Sequence, residues 1–308
     1  MKKQEVIRRM QYAGSWYESD EDLLRTFIAE SLADAELRSP NTEPFESRTG
    51  ACFAMLPHAG LTYSARGIAD FFANIPAKTT NILIIAPSHY VHIQPDSLTT
   101  ADFTLAETPL ADLEVIPLHD LLPGRVVHTD RKAVELEHAL EMFLPFCANL
   151  QLQSHKKIKV GLCLISQVTN EKAVDLLSEA ILEAIGDEQV LNGETLIIAS
   201  SDFTHYGKRF GYTPFGAASS GVSDREAEDK VLLYDRNYAE MFADGDIEEL
   251  LEQQIKDQPT ICGFAPGLIV SNIAKKLNLT GKIMGQYTSN SISGLSSDFV
   301  SYCSILWR

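Results

Sequence analysis

Apolar runs of strand length recur along the chain, separated by stretches with helical spacing. The runs cover residues 51–56, 82–86, 158–164, 195–199, 282–286 and 300–307. They are short and rich in Ile, Leu and Val, which suits strands buried on both faces. Between them, helix-period segments span residues 20–35, 64–73, 170–185, 224–243, 246–254 and 266–277. In the first, Asp20 is placed to cap the helix, and Leu23, Leu24 and Phe27 share one face. In the last, Pro266 stands in the first turn, where a proline is favoured. Strands alternating with helices predict an α/β fold in three layers, with a largely parallel or mixed central sheet and helices on both faces. Residues 38–50 and 206–223 read as loops, the second a long one over a site. No linker divides the chain, so residues 1–308 are expected to form a single domain.

Charge narrows the partners. The 308 residues include 42 acidic and 26 basic side chains, a formal charge of −16. A field of that sign repels phosphate backbones, and no basic stripe offsets it, so no nucleic-acid partner is expected. No stretch approaches the roughly 20 apolar residues that a membrane helix needs. Residues 1–17 are positively charged but lack the apolar segment of a secretory signal. The five cysteines are odd in number and widely spaced, without a CxxC, which argues against a disulfide framework or a structural zinc cluster. A cytoplasmic location is expected. Neither GxxxxGK[ST] nor GxGxxG occurs, so nucleotide chemistry has no support.

Candidate chemistry gathers at strand ends. In open α/β sheets, ligands bind beyond the carboxyl ends of the strands. "PHAGLTYS" follows the run 51–56 and brings His58, and "PSHYVH" follows 82–86 and brings His89. "SSDFTHYG" follows 195–199 and brings Asp202 and His205, while "TICGFAP" precedes a helix and brings Cys262. Two neutral imidazoles and a thiolate suit a borderline transition metal. Three protein ligands leave open positions, the mark of a reactive site. The helix N-terminus near Cys262 is expected to lower its thiol pKa. Asp202 is expected to orient a ligand histidine, and His205 has a range suited to acid–base work. His92 either lines the same cleft or sits in solvent. In "ELEHALEMFLPF", His138 or Glu141 either reaches the pocket or belongs to a solvated or capping run. Trp16, in "YAGSWYESD", either plugs the core or walls the cleft.

With these residues in hand, the chain resembles the Memo family, known in microbes as AmmeMemoRadiSam system protein B. The matching stretches are "AGSWY", "PHAGLTYS", "APSHYVHI", "EHALEMFLPF", "SSDFTHYG", "TICGFAPG" and "DFVSYCSI", spread over nearly the whole chain. The resemblance implies a fold like the catalytic subunit of class III extradiol dioxygenases, which use non-heme iron. It implies metal ligation by His58, His89 and Cys262, with Asp202 and His205 in the next motif. Cys262 stands where those dioxygenases have a carboxylate, so copper or zinc are alternatives to Fe(II). The resemblance also points to a radical-SAM partner. Three functions follow as expectations. The first is an iron-dependent, dioxygenase-like redox enzyme acting on a small substrate. The second is a non-catalytic adaptor holding a metal or a peptide in the cleft. The third is a zinc-dependent hydrolase.

Overall fold

The structure, a computed structural model, describes residues 5–38, 48–50, 52–216 and 221–308. Most of the loop expected at 38–50, and part of that at 206–223, lie outside the described residues. The sheet contains β1 (Ile7–Arg8), β2 (Phe53–Leu56), β3 (Asn81–Ala86), β4 (Leu98–Thr100), β5 (Leu105–Ala106), β6 (Leu113–Val115), β7 (Val127–Thr129), β8 (Lys159–Leu164), β9 (Thr195–Ser200), β10 (His205–Tyr206), β11 (Gly281–Thr288) and β12 (Phe299–Trp307). Their order is β1-β5-β6-β8-β3-β9-β2-β12-β10, with β11 on β12, β4 on β8 and β7 on β4. From β6 to β2 the neighbours run parallel. β12 is antiparallel to both β2 and β11. The connection 289–298 is too short for the crossover of about a dozen or more residues that a parallel pair needs.

Period-two alternation sorts the central strands onto two cores. Ala54 and Leu56, Ile82 and Ile84, and Leu196 and Ile198 join one cluster. Phe53 and Met55, Leu83 and Ile85, and Ile197 and Ala199 join the other. The helices Glu21–Arg38, Leu61–Phe72 and Leu144–Ser154 cover the first face. Glu171–Ile185, Asp224–Asp244 and Phe264–Lys276 cover the second. This is the three-layer α/β arrangement the alternation predicts, and each fully buried Leu or Ile adds about 1.5–3 kcal/mol. Asp20 caps the first helix, its Oδ1 accepting from the N–H groups of Asp22 and Leu23 at 3.0 Å. The buried face of that helix carries Leu24, Ile28 and Ala35, whereas Leu23 is 58% exposed.

The run around "ELEHALEMFLPF" is not one helix. It breaks into Arg131–Leu136 and His138–Glu141, with Glu137 extended between them and capping the second through the Ala139 N–H. Glu141, expected near the pocket, instead faces the N-terminal arm. Its carboxylate accepts from Arg8 Nη1 at 2.7 Å, Tyr17 Oη at 2.8 Å, and the N–H groups of Gln11 and Tyr12 at 2.9 and 2.8 Å. Arg8 and Glu141 are both fully buried. These bonds occupy its acceptors, so the carboxylate has none to offer a ligand.

The pair makes a stability prediction. A buried guanidinium that loses its carboxylate keeps its desolvation penalty without its partner. Glu141→Gln should lower unfolding free energy in urea by about 3–5 kcal/mol. A loss below about 1 kcal/mol, the range of exposed pairs, would contradict the assignment.

Candidate metal centre

Three adjacent parallel strands end together. β9 lies between β3 and β2, with Leu56 paired to Ser200 in register. His58 follows β2 and His89 follows β3, while the segment after β9 carries Asp202 and His205. Cys262 reaches the same edge from the turn before the helix Phe264–Lys276. Gly263 permits that approach. A Cβ on it would lie 2.7 Å from Ser201 Cα and closer still to the Ser200 carbonyl oxygen, far inside van der Waals contact. The donor atoms of His58, His89 and Cys262 all lie within 4.8 Å of one another. His58 Nε2 is 3.2 Å from Cys262 Sγ.

The far side of each imidazole is committed. Ser200 Oγ donates its hydrogen to Ala139 O at 2.7 Å, so it can only accept from His58 Nδ1, also at 2.7 Å. His89 Nδ1 faces Glu137 Oε1 at 2.8 Å, and Glu137 Oε2 accepts the His89 backbone N–H at 2.6 Å. His205 Nδ1 faces two carbonyl oxygens, Phe203 O and Thr260 O, each at 3.0 Å. An acceptor opposite Nδ1 fixes the hydrogen there and leaves the lone pair on Nε2. Glu137 serves as an acceptor because it is ionised. Burial works against its charge, but hydrogen bonds from His138 and His89 outweigh that and bring the carboxyl down to about 2.

Burial holds two of the ligand side chains in their neutral forms. Burial, reinforced by the neighbouring histidines, pushes the His58 imidazole well below its ordinary range, so the ring is uncharged. Burial, and then the Asp202 carboxylate, push the Cys262 thiol well up. The expected lowering by the helix N-terminus is therefore overturned, and the thiol stays protonated without a compensating cation. Burial also raises Asp202. Its Oδ1 accepts the backbone N–H of His58 at 2.8 Å and of Ala59 at 3.3 Å. Asp202 thus orients the main chain at His58, while Ser200 orients the ring.

Other candidates divide. His138 joins the cluster, its ring centroid 4.6 Å from His89 and 5.3 Å from His58. Trp16 covers His138 at 4.4 Å, on the wall of a cleft of about 480 Å³ that is also lined by His58, His89 and His205. His92 is exposed and does not line that cleft. Glu137, Ser200, Tyr90 and Gly263 were absent from the sequence-based candidates. Tyr90 Oη lies 3.0 Å from His138 Nδ1. The one visible signal for Glu137 was its place beside His138. Among the described residues no helix is long and apolar enough to cross a membrane.

The sequence matches the family described as "Memo-like protein" over residues 8–306. A MEMO1 family protein of Sulfurisphaera tokodaii is 27% identical, over 97% of this chain and 99% of the relative. A MEMO1 family protein of Thermococcus onnurineus is 26% identical over 98% and 100%. The protein MEMO1 of Xenopus laevis is 28% identical over 91% and 89%.

Glu137 yields a pH prediction. Its folded pKa of about 2 lies below the ordinary 4.5. The unfolded chain therefore takes up the proton first as pH falls. Its stabilisation is complete above about pH 4.5 and disappears toward pH 2, on the order of 3 kcal/mol in total. Glu137→Gln should flatten the fall of urea-derived stability across that window. An unchanged acid slope would mean that the carboxylate does not hold the two rings.

Proposed function

This chain belongs to the Memo-like protein family, and on that premise we propose that it is a non-heme metal protein acting as an iron-dependent redox enzyme on a small substrate. The observation that carries the proposal is the convergence of one ring nitrogen each of His58 and His89 with Cys262 Sγ within 4.8 Å, His58 Nε2 standing 3.2 Å from the sulfur. Neutral imidazole and thiolate are ligands that Fe(II), copper and zinc all accept. The donor set fits because each ring already presents its lone pair and needs no change of tautomer. Cys262 gives up its proton on binding, since a coordinated thiol is deprotonated.

Bound there, Fe(II) would supply open coordination positions and one-electron redox chemistry, and the remaining steps belong to the protein. His205, with Nδ1 held by two carbonyls, presents Nε2 as the atom that takes or returns a proton. Asp202 holds the His58 backbone, and so fixes where that ring stands. Trp16 and His138 pack together to form one wall of the cleft. A three-ligand site opening on a cleft suits Fe(II) and catalytic zinc alike, so the preference for Fe(II) rests on the resemblance to the non-heme iron dioxygenases.

Metal content tests this. Protein prepared anaerobically with Fe(II) should hold one iron per chain. His58→Ala and Cys262→Ser should weaken binding by more than the roughly 10- to 100-fold typical of losing a group that only orients a ligand. Full iron occupancy in both variants contradicts the site. One equivalent of zinc retained against excess Fe(II) replaces the redox assignment with hydrolysis.

A further inference from the structure

The cleft has a charge asymmetry that the metal site does not explain. Among its lining residues the one side chain with a fixed positive charge is Arg209; the one carboxylate, Asp202, is buried and turns its Oδ1 to the backbone N–H groups of His58 and Ala59. It follows "SSDFTHYG" on the short turn Lys208–Phe210, and its side chain is exposed. Its main chain is pinned, the N–H donating to Asp298 Oδ1 at 3.0 Å. The preceding Gly207 has φ 118°, and a Cβ there would press on Ser297 O at 2.7 Å. The guanidinium makes no ion pair among the described residues; its contact is the Phe210 ring, 5.8 Å from the centroid. Phe210 in turn packs edge-on to His205 at 5.3 Å. A rigid backbone thus presents an unneutralised fork at the mouth of the cleft, beside the proposed proton carrier.

Much of the rest of the wall is aromatic. Trp16 and His138 face the cavity on the arm side, with Tyr63, Phe210 and Tyr302 elsewhere on its lining. About 480 Å³ accommodates a small molecule. A chain of formal charge −16 repels anions over most of its surface. Arginine grips carboxylate and phosphate groups bidentately alike, and in a field of this sign the singly charged carboxylate is repelled less than a dianion.

We infer that the cleft takes a small planar carboxylate, with Arg209 gripping the carboxylate and the aromatic wall holding the flat body. This deepens the proposed function by naming its substrate class, and it rests on that reading for the chemistry alone. Recognition by Arg209 does not require the metal.

Calorimetric titration of benzoate into metal-free and Fe(II)-loaded protein tests it, with metal content measured on the same samples. Benzoate should bind both forms. Benzamide (flat but neutral), cyclohexanecarboxylate (charged but not flat) and phenyl phosphate (flat but dianionic) should each bind more weakly. Arg209→Gln should weaken benzoate by about tenfold or more, the range of a charge-assisted hydrogen bond. Arg209→Lys should fall between the two. Absence of benzoate binding, equal affinity for benzamide, or unchanged affinity in Arg209→Gln overturns the inference. Tighter binding of phenyl phosphate overturns the carboxylate assignment. A protein that binds benzoate through Arg209 yet holds no iron sinks the redox proposal and leaves this one standing.

Discussion

An imidazole whose Nδ1 is tied to an acceptor has one lone pair left, and its direction is set by that tie. The metal-centre account depends on this constraint. Ser200 imposes it on His58 and Glu137 on His89. Each orienting group is itself fixed. Ser200 spends its hydrogen on Ala139 O, and Glu137 caps the helix that begins at His138. Without these ties an imidazole is free to exchange tautomers, and two of them do not share a ligand by accident of proximity. Cys262 differs. Its sulfur is brought in by the backbone, through a glycine that lets the chain lie against the end of β9.

The fold delivers this arrangement because parallel strands finish at the same edge. β3, β9 and β2 are neighbours, so two ligand-bearing turns flank a strand whose last residue orients one of them. The buried Arg8–Glu141 pair then holds the arm that carries Trp16 over His138. Packing, polar ties and the cleft wall therefore converge on the short segment 137–141. A change there alters stability and site geometry together.

Much of this was legible in the chain. Apolar runs of five residues or more announced the central strands, and their alternation with helical spacing announced three layers. His58, His89, Asp202, His205 and Cys262 stood at the ends of those elements, and the structure gathers them at one sheet edge. The strands β4 to β7 were not legible, because two or three residues are too few to show a period. The break at Glu137 was hidden because part of its cause is tertiary: the carboxylate is held by the ring and backbone N–H of His89, 48 residues away, as well as by its neighbour His138. Glu141 was misplaced for a related reason. Helical spacing shows that a residue shares a face with His138 but not which neighbour that face meets. The thiol of Cys262 shows a competition that sequence cannot weigh, in which burial and Asp202 overcome the helix terminus.

The most direct test of the central claim is X-ray absorption at the iron edge of anaerobically loaded protein. The account predicts one sulfur scatterer and two imidazoles on a single iron, with the sulfur contribution vanishing in Cys262→Ser. A spectrum with only oxygen and nitrogen neighbours, identical in that variant, would contradict the convergence of these three side chains on one ion.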